Sequence, residues 1–345
     1  MMNKGPEMME LPSRIIPPTR SQVFAMEGYY VWGASVLKDE SGLFHMFACR
    51  WPIAWGINSW YSHSDIVRAV GRSPEGPFEY QETLSVLKEH DWSRSFTIGP
   101  NAFEFDGKYY LLYVGSHLPE GAPEEREAFM AWRHQNRHVI RFNQRIGLAS
   151  APHPAGPWEP VSDGPVLEPR PDKWDAPFVT NPVICFTPEN KTLLLYKSST
   201  ERSTDPNIKK GDKLMFGMAM ADRPEGPYTR VGPEPLFEEN VEDACFWYED
   251  GRWWMICKDM TGNIGGDRYG AGLLYTSPDA LHWQEADNIV AWKMWIDWAD
   301  GERQPIYKME KPTIYFENGR PVCLFMAVVP TGEESKSWNL ARLLK

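Results

Sequence analysis

The sequence predicts an all-β fold, a five-bladed β-propeller in a single domain, and three observations carry that reading. The tripeptide Gly-Pro-aromatic occurs as Gly76-Pro77-Phe78, Gly156-Pro157-Trp158 and Gly226-Pro227-Tyr228, each with a proline two residues before its glycine, and residues 278–283 form a degenerate fourth copy. Each copy follows a short run of strand character, at residues 66–70, 146–150, 214–221 and 271–276. Upstream lies an apolar run, a turn holding Gly or Asn, and a second apolar run, which is the signature of a β-hairpin. Hairpin, strand and turn recur roughly every 60–80 residues, which fits a propeller blade and exceeds the ~20–45 residues of a solenoid unit.

Residues 1–20 read as an N-terminal extension and 21–345 as the propeller. The first hairpin covers 32–37, turns near Gly42 and returns over 44–48. The second covers 102–105, turns at Gly107 and returns over 109–114; the third covers 183–186, turns near Asn190 and returns over 192–196. The fourth covers 245–248, turns at Gly251 and returns over 253–257; the fifth covers 313–316, turns at Gly319 and returns over 322–328, followed by a mixed run at 338–344. Three stretches interrupt the pattern. Residues 119–143 are charged and could carry a helix, 199–213 are polar, and 287–309 hold Trp292, Trp295 and Trp298, a spacing that suits either a packed helical stripe or a set of sugar-stacking rings. Insertions in repeat folds collect on one face, often the binding face.

Composition narrows the function. The chain of 345 residues carries a net charge of −11, with no basic stripe of the kind that a nucleic-acid backbone selects. No apolar run reaches the ~18 residues of a membrane span, and the start lacks a signal-peptide core, so a soluble, cytoplasmic protein is expected. The five cysteines form no CxxC pair and sit in or beside apolar runs, which predicts buried, reduced thiols. His134 and His138 would share one helical face, but no third ligand accompanies them; no metal and no cofactor are expected. Trp, Tyr and Phe number 16, 14 and 16; much of that content fills space between blades, and Trp32, Trp51 and Trp55 are candidates to stack on sugar.

In a propeller the openings of the innermost strands point at one shared channel. Here they read Tyr30-Val31-Trp32-Gly33, Gly99-Pro100-Asn101, Thr180-Asn181-Pro182, Val241-Glu242-Asp243 and Met309-Glu310-Lys311-Pro312, with Asp175 a few residues ahead of the third. A carboxylate beside the apolar run 244–248 is costly to bury unless paired, hydrogen-bonded or protonated. Glu242, Asp243, Glu310 and Asp175 are therefore the candidate catalytic acids, and carboxylates around an aromatic-rich pocket fit glycoside hydrolysis. No GxSxG, HExxH, GxGxxG or P-loop occurs.

The run Val241-Glu242-Asp243-Ala244-Cys245-Phe246-Trp247-Tyr248, followed by Lys258-Asp259-Met260-Thr261-Gly262-Asn263, resembles the Glu-Asp-Pro blade of five-bladed propeller glycosidases related to glycoside hydrolase families 43, 62 and 117. Trp32-Gly33-Ala34-Ser35, Arg50-Trp51-Pro52, Ser64-Asp65-Ile66-Val67-Arg68-Ala69, Thr180-Asn181-Pro182 and Glu310-Lys311-Pro312 are similar to that group as well. The resemblance implies an exo-acting glycosidase with an acidic triad: Glu242 as general acid with Asp243 beside it, Asp175 as orienting carboxylate, and Glu310 as a further acid able to exchange roles with Glu242. It also implies sugar contacts from Trp32, Arg50, Trp51, His63, Arg68, Asn181, Lys197, Lys258, Asp259 and Lys311. Ala244 stands where the group has Pro, and the first blade lacks the Asp that commonly supplies the base.

The reading is thus a hydrolase acting on a terminal sugar of a plant or algal oligosaccharide or polysaccharide, with no nucleic-acid or membrane partner. A phosphorylase resembling the family 130 mannoside phosphorylases, using Arg50, Lys258 and Lys311 for phosphate, and a non-catalytic carbohydrate-binding propeller are the alternatives.

Overall fold

The computed structural model describes residues 11–200, 213–232, 235–264, 266, 269–333 and 335–345. Its strands form five antiparallel sheets, and the innermost strand of each touches the next until the fifth meets the first, closing a ring. Blade 1 comprises Tyr29–Lys38, Phe44–Pro52, Asp65–Gly71 and Glu79–Thr83, and blade 2 comprises Phe96–Phe105, Lys108–Ser116, Arg145–Ala151 and Glu159–Pro160. Blade 3 comprises Thr180–Phe186, Thr192–Ser199, Leu214–Ala221 and Thr229–Val231, and blade 4 comprises Val241–Glu249, Arg252–Asp259, Gly272–Ser277 and Gln284–Trp292. In blade 5 the order outward is Arg303–Glu317, Arg320–Pro330, Trp338–Leu343 and then Val23–Phe24, a strand supplied from the other end of the chain. The short strand Trp295–Asp297 pairs with the start of Arg303–Glu317.

The predicted hairpins all form, and they do so because alternating side chains give each strand two faces, both of which a blade buries against its neighbours. Large apolar clusters accordingly lie between successive blades. Phe47, Leu111 and Trp158 fill the interface of blades 1 and 2; Leu112, Leu194 and Tyr196 that of 2 and 3; Met218, Phe246 and Leu273 that of 3 and 4. Ile256, Trp292 and Met326 join 4 to 5, and Val31, Ala69 and Phe325 join 5 to 1. The three Gly-Pro-aromatic turns share one conformation, each with a cis Gly-Pro bond, and bend third strand into fourth on the face opposite the strand openings.

On the opening face, the stretch 119–143 folds into helices Arg126–Gln135 and Arg137–Phe142. A break at Asn136 separates His134 from His138, so they do not share a helical face. Arg126 and Arg133 donate to the carbonyls of Ala54 and Trp55, which leans the insert against blade 1. Residues 201–212 of the second interruption lie outside the described residues. The third is not helical: Trp292 ends a strand of blade 4, and Trp298 is buried beneath Arg20, whose guanidinium lies 3.7 Å from its ring centre. All five cysteines are free, with Cys49, Cys245, Cys257 and Cys323 buried and Cys185 half-buried. Among the described residues no helix is long and apolar enough to cross a membrane.

Candidate active site

Each innermost strand carries a bulge at the same place. Pairing shifts between Trp32 and Ala34, Ile98 and Asn101, Thr180 and Val183, Glu242 and Cys245, and Glu310 and Thr313. Within the bulges Gly33, Gly99, Asn181, Asp243 and Lys311 all adopt left-handed backbone, with φ between +47° and +68°. Glycine reaches this region freely and Asn and Asp tolerate it, whereas at Lys311 it is strained. The bulge turns the residue before it and its own side chain into the mouth of the channel.

Charge is divided unevenly around that mouth. The residues paired with the five pre-bulge positions are Cys49, Val114, Lys197, Lys258 and Ala327. Blades 1 and 2 thus present Gly33, Gly99, Cys49 and Val114, while blades 3 to 5 present acids and lysines. Lys311 spans the two halves: its aliphatic stem passes within 3.5 Å of where a Cβ on Gly33 would stand, and its ammonium lies 3.9 Å from Asp243 Oδ1.

Carboxylate oxygens of Glu242, Asp243 and Glu310 lie within 4.8 Å of one another. Lys197 Nζ donates to Glu242 Oε2 and Lys258 Nζ to Glu242 Oε1, each at 2.9 Å, and Lys258 also donates to Glu310. Asn181 Nδ2 donates to Asp243 Oδ1 at 2.5 Å, and the Lys311 backbone N–H donates to Oδ2 at 3.3 Å. Three acids thus face three lysines. A divalent cation would have to displace those ammonium groups from the carboxylates, so the donor set as it stands suits proton chemistry better than metal binding.

The environments of the two adjacent acids differ. Burial pushes the Glu242 carboxyl up, but the ammonium groups of Lys197 and Lys258 outweigh it and hold the group well below the usual carboxylate range. Burial and then the charge of Glu242 push Asp243 up to about 6, against the pull of Lys311 and Lys197. Burial favours the neutral form of Lys258, yet Glu242 and Glu310 raise it well above an ordinary lysine. Burial lowers Lys311, and the pull of Asp243 does not restore it.

The other predicted site residues separate into those at the mouth and those elsewhere. Asn181, Lys197, Lys258 and Lys311 belong to the cluster just described. Asp175 does not: it is fully buried, accepts from Arg170 Nε and from the Tyr196 hydroxyl, each at 2.9 Å, and has Arg230 at 3.5 Å. Strand alternation is the reason, because Tyr196 and Lys197 point to opposite faces of one strand and Asp175 binds the face turned toward blade 2. Asp259 shapes the loop after Lys258, its carboxylate accepting from the backbone N–H groups of Thr261, Gly262 and Ile264. Arg50 lies between the rings of Tyr29 and Tyr80 and donates to Thr83, on the outer part of blade 1. Trp32 and Trp51 are packed with Tyr30 in the core between blades 1 and 2, which removes them as open sugar platforms. His63 stacks on Trp55 with ring centres 4.1 Å apart, against Phe129 of the helical insert; burial and then Arg133 press its pKa down to about 4. Arg68 is held by Glu82 and His45.

Sequence reading passed over Tyr269. Half exposed, it stands with Lys258 Nζ 5.0 Å from its ring centre and offers the cluster an open aromatic face. The one available signal was a single tyrosine in the glycine-rich stretch 262–270. Asp39, His45 and His153 also gather on the opposite face. Arg68 donates to His45 Nδ1 and the Ala155 N–H donates to His153 Nδ1, so both Nε2–H groups face Asp39 Oδ2, at 2.9 and 3.5 Å. This is a clasp between blades 1 and 2, with both imidazoles in the tautomer that leaves no lone pair for a cation.

No protein-family model matches the sequence, and no curated protein matches it either. Solved structures share its fold. Zg3597, a family 117 glycoside hydrolase from the marine bacterium Zobellia galactanivorans, superposes with a TM-score of 0.64 at 13% identity, over 96% of this chain and 89% of that one. The inulosucrase of Halalkalicoccus jeotgali bound to kestose gives 0.62 at 14% identity, over 92% and 79%. CoXyl43, a family 43 β-xylosidase/α-arabinofuranosidase from a compost metagenome, gives 0.58 at 14%, over 96% and 94%. The likeness extends over nearly the whole chain and establishes the five-bladed propeller.

Proposed function

We propose that the protein is a glycoside hydrolase whose acids are Asp243, Glu310 and Glu242. The observation that carries this is the convergence of three carboxylates at the channel mouth with opposite electrostatic bias on the adjacent pair. Environments that push two acids apart assign acid and base roles. Asp243 is the proton donor. This revises the role given to Glu242 from sequence, because two ammonium groups hold Glu242 ionised. Glu310 meets fewer cations and is the carboxylate that faces the anomeric carbon, while Glu242 fixes Lys197 and Lys258.

Spacing bears on stereochemistry. A water-activating base stands ~6.5–9.5 Å from its acid, whereas a nucleophile stands ~5–5.5 Å away. The trio, with oxygens inside 4.8 Å, supports double displacement. Asp243 gives its proton to the glycosidic oxygen as the C–O bond breaks and Glu310 bonds to carbon. Asp243 then takes a proton from the water that releases the sugar with retained configuration. The substrate is a terminal sugar of a plant or algal oligosaccharide, entering beside Tyr269.

The test is turnover on a panel of aryl glycosides and oligosaccharides. Asp243→Asn and Glu310→Gln are each expected to lose about 10²–10⁴-fold in kcat; undiminished turnover in both would sink the assignment. Proton NMR of the first-formed anomer should show retention, and inversion would place the base outside the trio. The convergence of Lys197, Lys258 and Lys311 favours a second reading, phosphorolysis, which phosphate-independent turnover dismisses.

A further inference from the structure

A cavity of about 500 Å³ opens between the outer strand of blade 4, blade 5 and the helix Leu11–Arg14, and none of the acid cluster lines it. Its wall carries three cations, Lys293, Arg303 and Arg342, against one carboxylate, Asp297. That is a local excess of positive charge in a chain of net −11.

Asp297 is already engaged. Its Oδ1 accepts from Arg303 Nε at 2.6 Å and its Oδ2 from Trp295 Nε1 at 3.2 Å. The Arg303 guanidinium lies 4.8 Å and the Lys293 ammonium 5.2 Å from the Trp295 ring centre, so these side chains brace one another. Arg342, in the third strand of blade 5, is different. It is 9% exposed, its side chain has no hydrogen bond or ion pair to a described residue, and its Nε is sealed from solvent. Burial presses its pKa down to about 10, only partly opposed by Asp297, so it stays charged at neutral pH. A permanent buried charge with no hydrogen-bonded counter-ion, the nearby Asp297 being taken up by Arg303 and Trp295, is costly, and a bidentate oxyanion relieves that cost better than any neutral group.

We propose that this cavity is an oxyanion-binding site for the sulfate or carboxylate of an acidic saccharide, or for the same anion free in solution. Arg342 supplies the buried fork, and Lys293 and Arg303 supply the rim. The inference stands independently of the channel chemistry, since it uses none of its residues.

Thermal unfolding of the full chain tests it, with sodium sulfate, a sulfated galacto-oligosaccharide, an oligogalacturonate and a neutral oligosaccharide as probes. At saturation the charged probes should raise Tm by about 3 °C and the neutral one should not. A larger response to the charged saccharides than to equal sulfate identifies the saccharide, and an equal response identifies the free ion. The response should vanish in Arg342→Met and persist in Asp243→Asn. Without ligand, Arg342→Met should match or exceed the parent Tm, because it removes an unpaired charge. A fall of several degrees would reveal a structural partner and overturn the proposal. So would the absence of any response or its survival in Arg342→Met.

Discussion

Asp243 shows how one carboxyl can carry both a functional and a stability signature. Its raised pKa means that the folded chain binds this proton more tightly than the unfolded one. Between the ordinary aspartate value and about 6 its contribution to stability therefore falls as pH rises, whereas the depressed Glu242 contributes stability that is lost on acidification. For a proton donor, kcat/KM should fall about tenfold per unit once pH exceeds about 6. A pH-rate profile measures this, and a limb starting near 4 would exclude Asp243 as the donor. The acids themselves were legible because charge at the mouth of an apolar strand is expensive and local. The fate of Asp175 was not, since it depends on Tyr196 and Arg230, partners distant in sequence whose facing is fixed only once the strands pair. Trp32 and Trp51 misled for a related reason: an aromatic residue reads the same whether it fills an interface or lines a groove.

At the scale of the strand, a recurring device is an aromatic ring laid across a glycine on its paired strand. Tyr113 covers Gly147 in blade 2, and Tyr196 covers Gly217 in blade 3. A Cβ on Gly217 would stand 2.4 Å from Tyr196 Cζ and 2.5 Å from its hydroxyl oxygen. Gly217→Ala must therefore push the ring aside and loosen the bond that Tyr196 gives Asp175. We expect a loss of about 2–3 kcal/mol in chemical denaturation, while Gly107→Ala, with open space around its Cβ, should cost mainly backbone strain, about 1 kcal/mol. The hairpins could be read from alternation and turn residues. The bulges could not be placed, although Gly33, Gly99, Asn181 and Asp243 are residues that tolerate left-handed backbone; Lys311 broke the pattern by adopting it against preference.

A strand of two residues adds to the closure of the whole molecule. Val23 and Phe24 pair with Leu340 and Asn339, and Phe24 is buried against the blade 5 and blade 1 cluster. Phe24→Ala should lower stability by about 3 kcal/mol. Catalytic rate per folded molecule should be unchanged well below the transition, since that strand is the outermost of blade 5, three strands from the acid-bearing one. Equal stability of the variant and the parent would show that the ring closes without it.

This closure also sets when the acid cluster is assembled. Blades 1 to 4 hold Glu242 and Asp243, but Glu310 and Lys311 arrive with blade 5, whose third strand ends at Leu343. A chain made only as far as blade 4 thus carries two of the three acids, with Asn181, Lys197 and Lys258 beside them, and the cluster stays incomplete until blade 5 brings Glu310 and Lys311 and closes the ring.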